Sequence, residues 1–299
     1  MTTKTTLRVG MLALALGGCA TGTTRSIETT LAQVMVSPEQ ENQIGLQLKT
    51  DLDTNQHAVY MTDPEVVSYV QTVAGKVIAL GKHDRPDVTW QVFVLDDRKT
   101  VNAFATPGGY LYVYRGLLEM CENEAELAAV MAHETGHVVA RHAARSMVTS
   151  YGLDAMTSLA SGNNPGLLVQ LTSSIAGKGV LLSHSRADET EADEYGARYA
   201  SGAGYDPHAF SSFFERLQKS EGSSPAILNY LSDHPATGDR ITHINEYITS
   251  QHLQGSNLGA TQYAPIRKRL ATLPSATPST VTKAGAPPAA PAGAPPAAP

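Results

Sequence analysis

His133-Glu134-Thr135-Gly136-His137 is the stretch on which the reading of this chain turns. Positions i and i+4 of an α-helix lie on one face, one turn apart, so two imidazoles at this spacing can grip one metal ion. The glutamate beside the first histidine then stands next to the metal, where a general base for an activated water is needed. The chain has 10 His and 28 acidic residues in 299. Random placement gives about 0.03 such matches, so coincidence is a weak rival. The competing reading, two histidines with ordinary hydrogen bonds on a helix face, leaves the position of Glu134 unexplained.

The surrounding residues favour a helix. Asn123 is the expected N-cap, and Glu126 three residues on completes a capping box. Leu127, Ala128, Val130 and Met131 follow as apolar, helix-favouring positions. The pattern runs on through Val138, Val139, Ala140, Ala143 and Ala144, which predicts one unbroken helix as far as Met147. Gly136 is its one weak helix former, and the missing side chain would let another segment come close to the metal.

A catalytic site of this type needs a third protein ligand and one open position. A third histidine six residues after His137 is excluded, because that residue is Ala143. A later helix offers carboxylates instead: Ser185-Arg186-Ala187-Asp188-Glu189-Thr190-Glu191-Ala192-Asp193-Glu194-Tyr195-Gly196. Glu189 and Asp193 share a face, so one can bind the metal while the other accepts the Nδ1–H of a ligating histidine. Glu191 and Glu194 are expected to point away into solvent.

Two more stretches complete the pattern: Asn102-Ala103-Phe104-Ala105-Thr106-Pro107-Gly108-Gly109-Tyr110 and Asp233-His234-Pro235-Ala236-Thr237-Gly238-Asp239-Arg240-Ile241. Together these motifs resemble the HtpX and CAAX-prenyl-protease family, family forty-eight of the metallopeptidases, and within it the periplasmic lipoprotein members. The resemblance runs from Ser37 to Ile248. It implies an α+β fold, a mainly helical gluzincin-type metallopeptidase domain with a small β-sheet before the HExxH helix. It also implies one Zn²⁺ per chain, held by His133, His137 and Glu189, with Asp193 behind a ligating histidine and Glu134 as catalytic base. His234 matches a histidine that reaches the zinc in some relatives. His234 and Arg240 are the candidates for an oxyanion donor, and His234 in the fourth coordination position would close the site in an autoinhibited state. Asn102, Phe104, Gly108 and Gly109 mark the expected substrate edge strand, to which an extended peptide adds as a further strand. Zinc is the expected ion for two histidines and a glutamate, with cobalt and manganese as alternatives.

The start of the chain bears on location. Lys4 and Arg8 precede a short apolar run from Val9 to Leu16, too short to span a bilayer. Leu16-Gly17-Gly18-Cys19 then looks like a lipoprotein cleavage site, which would leave Cys19 lipid-modified and anchor the chain to a membrane. Ala20 after the cysteine resembles sorting to the periplasmic face of the outer membrane. With Cys19 so used, Cys121 has no intrachain partner and reads as structural. The formal net charge is −6, and removing residues 1–18 makes the balance more acidic. With no basic stripe, nucleic-acid partners are excluded.

The organisation expected is a signal peptide over 1–18, a lipidated cysteine and tether over 19–36, the peptidase domain over 37–250 and an extension over 251–299. Ser37-Pro38-Glu39 and Asp63-Pro64-Glu65 open helices, the second ending at Gly81. Strands are expected over 88–95, 101–106 and 110–114. Tyr110, Tyr112 and Tyr114 read as the half-exposed face of that sheet. Residues 147–182 read as a helical hairpin near the cleft, broken at Gly162–Gly166. Asp206-Pro207 and Thr237 open two further helices. From Ala271 onward the chain carries 8 of its 17 prolines and reads as an extended tail.

The function these features imply is a zinc-dependent metalloendopeptidase acting on unfolded or misfolded envelope proteins. The alternatives are a zinc-binding lipoprotein acting as chaperone or assembly factor, and a small-peptide hydrolase.

Overall fold

Two proline-initiated helices come first: α1, Pro38–Thr54, and α2, Pro64–Asp84. Ser37 caps α1 in a full capping box with Gln40, and Asp63 caps α2 by accepting the Val66 amide. Proline at the first helical position is already set in φ, and the N–H it lacks would have no helical partner. The protein is described here by a computed structural model, over residues 35–160, 184–219, 230–231, 233–234 and 238–274. Helix α2 runs past Gly81 to Asp84, because that glycine faces inward. A Cβ on it would meet Thr135 Cγ2 at 2.4 Å, so its role is packing, not termination.

Three strands follow: β1, Gln91–Leu95; β2, Ala103–Thr106; and β3, Tyr110–Tyr114. Their order is β1-β3-β2, with β1 parallel and β2 antiparallel to β3. The β2–β3 hairpin turns through Pro107-Gly108-Gly109, and both glycines have positive φ, 79° and 85°, which favours residues without a Cβ. One sheet face, with Ala103, Leu111 and Val113, joins the main core. On the other, Tyr112 stacks between Phe93 at 5.1 Å and Phe104 at 4.7 Å. The alternating pattern predicts a half-exposed tyrosine face, yet Tyr110 and Tyr112 are buried. Leu52 at the end of α1 and the segment with Ala58 and Tyr60 pack over them.

The remaining helices among the described residues are α3, Arg115–Met120; α4, Glu124–Val139; α5, His142–Ala160; α6, Arg186–Gly202; α7, Ala209–Lys219; α8, Gly238–Ser250; and α9, Ala260–Thr272. Every residue of α4 is buried, which makes it the central element. Asn123 caps it through the Glu126 amide, as expected, but the Glu126 carboxylate accepts from the amide of Glu122 instead of closing the box on Asn123.

The expected continuous helix to Met147 is broken. Helix α4 stops at Val139, and Arg141 takes φ 60°. Its guanidinium bonds Glu41 Oε1 at 3.1 Å and the Val36 carbonyl, and these contacts stabilise a conformation that side chains otherwise avoid. The chain restarts as α5, which kinks at Gly152 and packs Ala144, Met147 and Val148 on Ile44 and Leu48 of α1. The second half of the expected hairpin lies outside the described residues, as do Cys19, Thr237 and the tail beyond Pro274. No helix among the described residues is long and apolar enough to cross a membrane.

Helix α9 buries Tyr263, Ile266 and Leu270 in the main core, so the folded body continues past Ser250. The fully buried Arg115 donates to the carbonyls of Leu270, Leu273 and Pro274 and pairs with Asp96 and Glu119. It thereby satisfies the last carbonyls of α9, which have no helical donor of their own.

Candidate metal centre

Helices α4 and α6 cross at two glycines. A Cβ on Gly136 would stand 2.7 Å from Tyr195 Cβ, and one on Gly196 would stand 3.3 Å from the His133 amide nitrogen. The first is closer than side-chain packing allows and the second is tighter than most packing contacts, so the backbones approach where glycine removes the obstacle. Ser185 starts α6 with a full capping box to Asp188, and the next turn delivers Glu189 and Asp193 onto the two histidines of α4.

His133, His137, Glu189 and His234 are all buried, each offering a ligand atom within one small space. His133 Nε2 lies 2.9 Å from His137 Nε2, and Glu189 oxygens lie 3.5 Å from both. Donors about 2.0–2.2 Å from a tetrahedral ion stand roughly 3.3–3.6 Å apart; both His–Glu distances match zinc, and the 2.9 Å between the two imidazoles is a few tenths shorter. The chemistry fits as well. Two imidazole nitrogens converging beside a carboxylate offer the donor types that zinc prefers. His133 Nδ1 lies 3.0 Å from Asp193 Oδ1, the outer carboxylate expected of a ligating histidine.

The sequence over residues 62–248 matches the model of peptidase family M48. The chain belongs to this family. It is 38% identical over 180 residues to mitochondrial metalloendopeptidase OMA1 of Schizosaccharomyces pombe, which covers 60% of this chain and 52% of that protein. It is 30% identical over 197 residues to metalloprotease LoiP of Escherichia coli, covering 64% of this chain and 75% of LoiP. The β-barrel assembly-enhancing protease of E. coli matches at 30% over 193 residues, 62% of this chain and 39% of that protein. The chain thus spans about half, or less, of the length of the OMA1 and β-barrel-assembly relatives.

In this M48 chain Glu134 is buried, with Oε1 3.6 Å from His234 Nε2. Burial raises its pKa, against the opposing pull of His234 and His133. Burial also works against a charged His133, but Asp193 and Glu189 together hold its pKa up at about 9. His234 behaves alike: burial opposes its charge, and Glu189 and Glu134 outweigh that. Its Nδ1 lies 3.2 Å from Glu189 Oε2 and 3.4 Å from His133 Nε2, which places it in the donor set. Arg240 faces the carboxylates. Its Nη1 is 2.9 Å from Glu189, and its Nη2 and Nε are 2.7 and 2.8 Å from Asp193.

Strand β2 is an outer strand of the sheet, and a narrow cleft lined by Ala105, Thr106, Pro107, His137 and His184 joins its end to the metal ligands. Phe104 turns to the aromatic face instead of the cleft. Asn102 bonds Asp233 Oδ2 at 2.8 Å, next to His234, and Gly108 and Gly109 shape the turn.

Several site residues escape the sequence reading. Glu191 is not simply solvated, since it meets His142 at 3.2 Å and Arg145 at 2.8 Å; Glu194 is half-buried and paired with His243 at 3.0 Å. His142 meets His137 at 2.7 Å, a contact created by the helix break and absent from any unbroken-helix reading. His184 stacks on His137 at 3.9 Å, and burial lowers its pKa to about 3. It stands one residue before the cap of α6, and that adjacency is the signal that could have found it.

Proposed function

We propose that this chain is a zinc-dependent metalloendopeptidase, anchored by a lipid on Cys19 to the periplasmic face of the outer membrane, that hydrolyses unfolded or misassembled envelope proteins. The observation that carries the reading is the buried set His133, His137 and Glu189 with Glu134 beside it. Zinc held by these three residues would supply Lewis acidity for activating a water and polarising a carbonyl. Glu134, whose pKa burial raises, takes the proton of the attacking water and returns it to the leaving amine. Asp193 and Arg240 hold His133 and Glu189 in place. The outer edge of β2 would accept an extended peptide through main-chain hydrogen bonds, which demand little of its sequence and suit an unfolded substrate. The lipid anchor rests on Leu16-Gly17-Gly18-Cys19, and the envelope setting on the similarity to LoiP and to the β-barrel assembly-enhancing protease.

Digestion of casein by the purified chain, beside Glu134→Gln, with zinc measured in both, tests this reading. Activity in the first only, at equal zinc, supports it. Zinc without cleavage in either favours the chaperone reading or a closed site. The place of His234 in the donor set favours the closed site, and His234→Ala would then raise turnover. Cleavage of dipeptides alone would favour the small-peptide hydrolase.

A further inference from the structure

The two metal-facing histidines are supported differently. His133 has the Asp193 carboxylate at Nδ1. His137 has an imidazole there: its Nδ1 lies 2.7 Å from Nδ1 of the fully buried His142. A neutral His137 that turns a bare Nε2 toward the metal must carry its hydrogen on Nδ1. The short contact is then a hydrogen bond only if His142 Nδ1 is bare, with the His142 hydrogen on Nε2. That atom faces Glu191 Oε2 at 3.2 Å and Asp188 Oδ1 at 3.7 Å, both acceptors.

The outer end of this line is fixed in turn. Arg145 Nη2 bonds Asp188 Oδ1 at 2.7 Å and Glu191 Oε2 at 2.8 Å. A metal seated on His142, Asp188 and Glu191 would lie against that guanidinium, so the cluster suits a hydrogen bond and not a second cation. The backbone is built to the same end. In an unbroken helix residues five apart point about 140° away from each other. The break at Arg141, φ 60°, turns His142 back beneath His137.

We propose that His142 is a positioning residue for the metal centre: Glu191 sets its tautomer, and its bare Nδ1 accepts the His137 Nδ1–H and so aims His137 Nε2 at the ion. The proposal rests on the zinc-site reading above. Support of this kind is worth about 10–100-fold in metal affinity.

The test exploits side-chain shape. Asparagine places an amide oxygen where His142 has Nδ1, whereas glutamine places its amide nitrogen where His142 has Nε2. Zinc affinity of the full chain is measured by chelator competition for wild type, His142→Asn, His142→Gln and His142→Phe, with thermal unfolding of the metal-free proteins as folding control. His142→Asn should stay within a few-fold of wild type, while His142→Gln and His142→Phe lose about 10–100-fold at similar metal-free stability. Long-range ¹H–¹⁵N spectra of the zinc-loaded wild type should show His142 protonated at Nε2 and His137 at Nδ1. Equal affinity in all four proteins, Gln above Asn, or a His142 proton on Nδ1 would overturn the proposal. So would a second zinc per chain that disappears in His142→Phe. If wild type itself binds no zinc, the underlying reading fails and not this step alone. If all three variants unfold, the tautomer spectrum of wild type still decides.

Discussion

The crossing of α4 over α6 fixes the metal ligands, and Gly136→Ala probes it directly. The new Cβ would stand 2.7 Å from Tyr195 Cβ, where ordinary contact begins near 3.4 Å. Neither atom is the free end of a flexible side chain, so the helices must part by about 0.7 Å, the shortfall between those two distances. Overpacking of this kind costs about 1–3 kcal/mol, while alanine in place of a mid-helix glycine contributes about 1 kcal/mol. The net stability change is therefore small, a loss of about 0–2 kcal/mol. The effect on metal is larger, because Glu189 moves with α6 while His133 and His137 stay on α4. Metal–ligand distances tolerate only about 0.2 Å, so zinc affinity should fall at least about tenfold. The control is Gly75→Ala on the exposed side of α2, where a Cβ meets nothing within 4 Å. It should gain about 1 kcal/mol, or about 2–4 °C in melting temperature, with zinc affinity unchanged. Calorimetry and chelator titration of both variants decide the matter. Gly136→Ala that binds zinc like wild type and gains stability like Gly75→Ala would refute the close-approach argument.

Three further outcomes follow from the same geometry. Without metal, His133 holds its proton up to about pH 9, and zinc needs that nitrogen bare. Affinity should therefore rise at least tenfold per unit from pH 7 and level off above pH 9, and a flat profile between pH 7 and 8.5 would contradict the ion pairing of His133. Arg115→Met leaves Asp96 and the carbonyls at the end of α9 without this donor, while Glu119 keeps Arg98. It should cost about 3–5 kcal/mol and speed amide exchange in α9, and an unchanged melting temperature would count against it. Burial, reinforced by Glu126, pushes the Cys121 thiol well above its ordinary pKa. The native chain should resist iodoacetamide at pH 8 and react in denaturant; rapid labelling of the folded protein would show the helix start to be open.

Much of this centre is legible in the sequence because helical spacing is local information. His133, His137, Glu189 and Asp193 fall on shared helix faces by counting alone, and the strands around Pro107-Gly108-Gly109 follow from alternation and turn chemistry. The rest depends on contacts between distant segments. Arg141 breaks the helix through Glu41, 100 positions away, and so creates the His137–His142 contact that periodicity denies. The tyrosine face is covered by α1, and α9 is held by Arg115, which lies 155 residues before Leu270. Gly81 reads locally as a stop, and only the neighbouring Thr135 shows that it is a packing position.

Charge explains why this buried cluster suits a divalent cation. Glu134, Glu189 and Asp193 are all buried, and Arg240, paired with Glu189 and Asp193, is the fixed cation beside them. With all three ionised, three carboxylates against one guanidinium would leave a deficit of two positive charges in a place where uncompensated charge is expensive. Without metal, protons on His133 and His234, both held up by the carboxylates around them, make up that deficit. Zinc supplies the same two charges and displaces them. Metal uptake and proton release are thus two descriptions of one balance, and the pH slope of zinc affinity should lie between one and two. Glu134→Gln removes one of the three negative charges and so weakens the demand for a cation as well as removing the base. For that reason its loss of activity identifies the base only when its zinc content is measured in the same sample.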